Sequence, residues 1–359
     1  MNKQRKPTKR KIAIITDLEG PWVTNDNAYE LFVWFAILCG LGEEVGQKAY
    51  QRISVIDDIW GDFGKVKKYD ETYSSGHTLK VILPFLKAMG AVERDLYDFS
   101  RKSMRTLKST DKVFRKLSGA YPTWIVSTSY SFFVRAFCDL VGFDSERAHC
   151  TKVSRFDKIG IKEKESKELQ DFIVRLAEMP VLEYDHANGE VIDEHVRYYE
   201  EMTRFIWETI SKMKVGQFMK EVVPVGQLQK YVALEEICRK NDISLTDVVC
   251  IGDSQTDVTM GGRAAGRGLF IVVNGKGWVC DLSDIMIIGN DTRAIKKVVD
   301  MFAKTSREEV IRHFFHWDHC YGCRIAATPK NNPDLLKQLK KESERVRKLV
   351  RGVSIGGLT

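Results

Sequence analysis

The sequence lacks any apolar run of the roughly 20 residues that a bilayer-spanning helix requires. Its longest, Leu31 to Leu41, is much shorter and is expected to lie in a core or cap helix. The basic N-terminus is not followed by a cleavable apolar region with small residues, so no signal peptide is expected. Internal repeats and low-complexity tracts are missing, and 43% apolar with 29% charged residues gives no case for disorder outside the ends. No basic groove interleaved with aromatics is visible, which argues against nucleic acid as a partner. The eight cysteines follow no zinc-finger spacing. Several sit inside apolar runs (Cys39, Cys138, Cys250), as reduced core thiols do in a cytoplasmic protein.

What is present is enough chain, at 359 residues and 41.1 kDa, for a full sheet core and one or two attached lobes. The formal net charge of +7 is concentrated at the ends: residues 1–11 carry six Lys or Arg, and more follow Lys330. These ends are expected to be solvated tails rather than sites for nucleic acid or an anionic membrane.

The stretch Lys11-Ile-Ala-Ile-Ile-Thr-Asp17-Leu-Glu19-Gly20-Pro21 organises the rest. Its branched apolar run reads as a short buried strand. The run ends in two carboxylates one residue apart, which project to the same side just as Gly20 and Pro21 force a turn. Open α/β sheets place their chemistry at such carboxyl ends. A second run, Trp124-Ile-Val, ends in Ser127, Thr128 and Ser129. Lys230 precedes a helical stretch that leads, after a break at Asn241-Asp242, into Val248-Val-Cys-Ile251 and then Gly252-Asp253-Ser-Gln-Thr-Asp257.

An acid pair, a hydroxyl, a lysine and a second acid pair, in that order, resemble the four motifs of the haloacid dehalogenase superfamily. The separation of Lys230 from Asp253, 23 residues (253 − 230), is similar to that in its phosphoserine-phosphatase-like members. Two further stretches, Asp-x-Glu-Gly-Pro followed by Asn-Asp-Asn-Ala-Tyr-Glu, and Ser75-Gly-His77 through Gly90, resemble an archaeal group of phosphatases in this superfamily. That group includes proteins labelled as subunit R of an energy-converting hydrogenase.

The resemblance implies a doubly wound, Rossmann-like α/β core with a helical cap and a second, mainly helical insertion. Residues 11–24, 118–150 and 221–300 would form the core, 25–117 the cap and 151–220 the second insertion. Residues 1–10 would be a basic tail and 301–359 a C-terminal extension.

The implied activity is Mg²⁺-dependent hydrolysis of a small-molecule phosphate monoester. Asp17 would be the nucleophile, forming an aspartyl phosphate. Glu19 would be the acid that protonates the leaving oxygen and then activates water. The family usually carries Asp there; Glu, one methylene longer, occurs in a few members such as enolase-phosphatases. Ser127 would bind phosphoryl oxygens, with Thr128 taking that role if the register shifts by one. Lys230 would neutralise nucleophile and phosphate. Asp253, an Asp17 oxygen and the Glu19 backbone carbonyl would hold Mg²⁺, with Asp257 completing or orienting that sphere.

A rival expectation is a non-catalytic or regulatory subunit on the same fold, associated with a hydrogenase or another complex. The Glu at position 19, the long second insertion and the basic tail favour it. In the tail, His313 to Cys323 holds three histidines and two cysteines within eleven residues. That segment reads either as a zinc site or, with more weight, as packed aromatic chain. From Pro333 to Arg351 a basic helix with an apolar stripe is expected to dock on the protein, or otherwise to meet a protein partner.

Overall fold

The computed structural model describes residues 11–356; the basic tail, residues 1–10, lies outside them. Among the described residues eight strands form one sheet, in the order β3-β2-β1-β4-β5-β6-β8-β7. The strands are β1 (Ala13–Thr16), β2 (Thr123–Tyr130), β3 (Ala148–Thr151), β4 (Val248–Gly252), β5 (Leu269–Val273), β6 (Ile285–Ile288), β7 (Asp318–Cys320) and β8 (Cys323–Ala327). From β3 to β6 all neighbours run parallel; β8 joins β6 antiparallel, and β7 joins β8.

A parallel strand covered on both faces must be apolar on both. Every residue of β1, β4, β5 and β6 is buried. Their side chains alternate between two cores with the period of two that strand geometry dictates. Ile14, Val249, Ile251 and Ile271 face the core shared with the cap, whereas Ile15, Val248, Cys250 and Phe270 face the other.

From β1 the chain winds first toward β3, then returns to β4 and winds the other way to β6. The order therefore reverses beside β1. At such a switch point, open α/β sheets leave a crevice at the carboxyl ends of their strands.

Helices fill the crossovers. Between β1 and β2 lie α1 (Asn27–Leu38), α2 (Glu43–Phe63), α3 (Thr78–Ala88), α4 (Glu93–Ser103) and α5 (Thr110–Ala120), and α6 (Ser131–Val141) links β2 to β3. Between β3 and β4 come α7 (Glu163–Glu178), α8 (Val196–Arg204), α9 (Gln217–Glu221) and α10 (Gln227–Lys240). After β4 follow α11 (Val258–Ala264), α12 (Val279–Leu282), α13 (Arg293–Phe302), α14 (Arg307–His313), α15 (Pro333–Arg351) and α16 (Val353–Gly356).

The two long insertions meet: α7 packs on α2 and α3. Trp207, between α8 and α9, stacks on Tyr69 with centroids 5.5 Å apart and meets Trp60 edge-on. Aromatic side chains of this size contribute most of the burial available to a small helical lobe. Helix α5 instead packs on α6 and α13, beside the sheet.

Of the segment 313–323, one of whose readings was a zinc site, residues 313–316 end α14 in a helical turn and residues 318–323 lie at the sheet edge. Cys320 and Cys323 face each other across the β7–β8 hairpin, joined by Tyr321 and Gly322, both at positive φ as a two-residue hairpin turn requires. Cys323 is buried, with its thiol on the Asp291 carbonyl. All eight cysteines are free. No helix among the described residues is long and apolar enough to cross a membrane.

Helix α15 starts with Asn332 accepting a hydrogen bond from the Leu335 amide (3.1 Å) and with Pro333 at its first position. Leu339, Ser343 and Arg347, four residues apart on one face, are buried against this chain. Ser343 donates to the Gly275 carbonyl at 2.7 Å, and Lys340 pairs with Asp281 at 2.9 Å. The face of the basic helix is therefore occupied by its own protein.

Candidate active site

The carboxyl end of β1 delivers Asp17. Its amide donates to the Ile251 carbonyl at 2.8 Å, holding the end of β1 against β4. One carboxylate oxygen, Oδ1, accepts from the Leu18 amide at 2.7 Å; the other, Oδ2, lies 2.8 Å from Lys230 Nζ. Lys230 sits on the first turn of α10 and is fully buried, with its ammonium also 2.8 Å from Asp257 Oδ1. The remaining Asp257 oxygen accepts from the amides of Asp253 (2.9 Å) and Ser254 (3.2 Å). A continuous path of charge-assisted bonds thus runs from Asp17 through Lys230 and Asp257 to the backbone that carries Asp253.

Burial alone would lower the Lys230 ammonium, but Asp17 and Asp257 hold it above its ordinary range. Asp17 itself is pushed up to about 7, because burial and the neighbouring Asp257 and Asp253 outweigh the attraction of Lys230. A divalent cation would reverse that balance. Asp17, Asp253 and Asp257 bring potential ligand oxygens within 4.8 Å of one another, the one such group of His, Cys, Asp or Glu among the described residues. Three hard carboxylates suit Mg²⁺ rather than a softer metal. Asp17 and Asp253 line the cleft and Asp257 does not; its two oxygens are taken by Lys230 and by the Asp253 and Ser254 amides, which suits a residue that orients the site.

Gly20 makes this approach possible. Its φ of +95° and missing side chain let Asp253 pass so close that a Cβ would lie 2.1 Å from the carboxylate carbon.

Glu19 leans toward β2. Its Oε1 accepts from Ser129 Oγ at 2.7 Å, and the Asn27 amide at the start of α1 approaches it at 3.3 Å. Burial, then the nearby Asp26, raises its carboxyl well above the ordinary range, against the opposing pull of Arg351 and Ser129. Ser127 is buried, and its hydroxyl shares a 3.0 Å contact with Ser129. Thr128 Oγ1 is buried without a hydrogen-bond partner and lines the cleft, a donor left for a bound group. Ser127 and Thr128, the two alternative phosphate-binding hydroxyls, therefore both line the cleft.

All seven residues singled out from the sequence converge here: Asp17, Glu19, Ser127, Thr128, Lys230, Asp253 and Asp257. Asp26 caps α1, accepting from the Tyr29 amide at 3.0 Å, and also lines the cleft. Asn25 and Glu30 are held by Ser103, Arg105 and each other, tying the start of α1 to the end of α4.

Three further residues were not found from the sequence. Ser129 is the partner of Glu19. Arg347 and Arg351, from α15, both donate to Asp253 Oδ2; for Arg351 the distance is 3.2 Å. Arg351 also lies 3.9 Å from Glu19, and its remaining donors reach the carbonyls of Thr24 and Asn25.

A doubly wound sheet with a strand-end aspartate, a buried lysine and a second acid pair at its switch point defines a class of α/β hydrolase. A family model described as haloacid dehalogenase-like hydrolase matches residues 135–315, more than half of the chain. The chain belongs to the haloacid dehalogenase-like hydrolases.

Among solved structures, a gene product of Archaeoglobus fulgidus has the same fold, with a TM-score of 0.77 at 24% identity over 98% of this chain and 99% of that one. A substrate-bound phosphoserine phosphatase (16% identity, TM-score 0.46) and a phospho-aspartyl intermediate analogue of phosphoserine phosphatase (17%, 0.45) each match 81% of this chain and 100% of theirs. No curated protein matches the sequence.

Proposed function

We propose that this hydrolase is a Mg²⁺-dependent phosphomonoester phosphatase that works through a phosphoryl group carried on Asp17. The observation that supports this most is the placement of the Asp17 carboxylate: fixed by the Leu18 amide, neutralised by Lys230, and open to the cleft beside Glu19 and Ser127. Hydrolysis of an anionic ester needs charge neutralisation, an aligned nucleophile and a proton for the departing alkoxide. Each need has a residue here.

Asp17 would attack phosphorus, forming a new O–P bond as the ester O–P bond breaks. Glu19, kept protonated by its buried setting, would hand its proton to the departing alkoxide oxygen. Glu19 would then take a proton from a water that attacks phosphorus, releasing inorganic phosphate and restoring the Asp17 carboxylate. Ser127 and Thr128 hydroxyls would bind phosphoryl oxygens, and Lys230 would offset the charge gathered on Asp17.

Asp17, Asp253 and the Glu19 carbonyl would hold Mg²⁺, with Asp257 orienting Asp253 through its amide. The ion would supply Lewis-acid stabilisation of the transferring phosphoryl charge.

The test is Mg²⁺-dependent phosphate release from p-nitrophenyl phosphate and a panel of metabolite monoesters by wild type and Asp17→Asn. Metal-dependent release lost in the variant is the expected result. Silence of the folded, Mg²⁺-binding wild type across the panel would overturn the reading in favour of a non-catalytic subunit.

A further inference from the structure

The cleft at the switch point encloses about 140 Å³ and is lined by six carboxylates, those of Asp17, Glu19, Asp26, Asp57, Asp58 and Asp253. Glu19 is held protonated, but the ionised members of this wall repel a phosphate monoester, which is mostly a dianion at neutral pH. Lys230 lies behind Asp17 and is not part of the lining. Arg347 and Arg351 are the two cations among the described residues that are.

Their hydrogen bonding differs. Arg351 is fully engaged: Nε on the Thr24 carbonyl at 3.2 Å, Nη2 on the Asn25 carbonyl, and Nη1 on Asp253. It fastens the last turn of α15 to the segment between β1 and α1. Arg347 uses Nη1 on Asp253 and, at 3.4 Å, on the Asn274 carbonyl. Its Nε is buried without any partner although the residue is only 5% exposed. A buried guanidinium with a donor left over is costly unless an acceptor completes it. Its planar set of donors suits a tetrahedral oxyanion, which can accept two of them side by side.

Resting on the phosphatase reading, we propose that Arg347 binds the phosphoryl group of the substrate and that Arg351 is the positioning residue that holds it there. The C-terminal helix then supplies the anion-facing wall of a site whose other residues come from the four strand-end motifs. Asp17 and Asp253 would hold the cation, and with the Asp253 charge so balanced the Arg347 donors would be left to the phosphoryl oxygens.

The experiment is calorimetric titration of inorganic phosphate into the full chain at saturating Mg²⁺, with Mg²⁺ titrated separately, for wild type, Arg347→Met, Arg347→Lys and Arg351→Met. Arg347→Met is expected to weaken phosphate binding roughly 10- to 100-fold, as on losing a charge-assisted hydrogen bond. Its Mg²⁺ affinity should stay within threefold of wild type or tighten, and Arg347→Lys should recover part of the loss. In Arg351→Met, phosphate should weaken together with faster proteolysis of α15, as expected when its tether is cut.

Wild-type phosphate affinity in Arg347→Met would overturn the proposal. So would a tenfold weakening of Mg²⁺ with unchanged phosphate affinity, since Arg347 would then serve the metal carboxylate alone. If wild type binds phosphate through Arg347 yet hydrolyses no ester, the phosphatase reading falls while the anion site stands. Absence of phosphate binding to metal-saturated wild type would sink the anion site itself.

Discussion

Gly20 and Asp253 follow different strands and meet so closely that no side chain fits between them: a Cβ on Gly20 would lie 2.1 Å from Cγ of Asp253. The turn after β1 and the turn after β4 are thereby fitted to each other. Gly20→Ala must push Asp253 away and must also hold a β-carbon at φ +95°. The expected cost is about 1–3 kcal/mol of stability, read from the urea midpoint. Because Asp253 moves, Mg²⁺ affinity should fall by more than tenfold; unchanged Mg²⁺ affinity would show that the contact relaxes without harm.

Lys230 is fully buried between two carboxylates at 2.8 Å each. Lys230→Met keeps the volume and removes the charge, leaving Asp17 and Asp257 unpaired in a buried setting. The expected destabilisation is about 3–5 kcal/mol, measured by chemical denaturation near neutral pH. Because Asp257 holds the amides of Asp253 and Ser254, loss of activity should accompany the loss of stability. A variant as stable as wild type would contradict the buried network.

Glu19→Gln should separate the two halves of the reaction. With a poor leaving group such as an alkyl alcohol, phosphate release should slow roughly 100- to 10,000-fold, the span of general acid catalysis. With p-nitrophenol, which needs no proton, a burst of one equivalent followed by slow release is expected. Rapid steady release from alkyl esters by Glu19→Gln would exclude Glu19 as the acid.

His77 gives a pH signature away from the active-site acids. It is fully buried near Ser74, Gln229, Lys80 and Asp70, against the Tyr73 ring. Burial, with the Lys80 charge adding to it, lowers its pKa to about 4, against the opposing effects of Gln229 and Asp70. The folded state thus favours neutral imidazole. Stability from this group is fully present above about pH 6.5 and is lost as pH falls from there to about 4. The full loss is about 3 kcal/mol by linkage. His77→Gln should flatten that part of the stability–pH curve, and equal slopes for both proteins would contradict the assignment.

The sequence made the site legible where the signal was local. Asp17, Ser127 and Asp253 each follow a short apolar run, and a buried parallel strand ending in a polar residue can be recognised without its neighbours. Lys230 needed the resemblance, since a lysine in a helical stretch reads as a surface charge. Ser129 was visible but unassigned, because its contact with Glu19 depends on how β1 and β2 are aligned.

Arg347 and Arg351 were hidden for a different reason. They lie on a helix of many charges, where a solvated face is the ordinary expectation, and nothing local tells which arginines turn inward. For the His313–Cys323 segment the sequence favoured packed aromatic chain over a metal site, but it did not show the hairpin that β7 and β8 form through the positive-φ turn at Tyr321-Gly322. The contact of α7 with α2 and α3 could not be read either, since sequence periodicity gives an apolar face but not its partner.

The tether from Arg351 to Thr24 and Asn25 has a consequence for how the chain is made. During synthesis from the N-terminus, Asp17, Lys230 and Asp253 are all available to assemble well before α15 leaves the ribosome. Contacts between residues so far apart in sequence close late and slowly. A chain made only as far as β6 therefore carries the acids of the site without the two arginines that donate to Asp253, which arrive with α15.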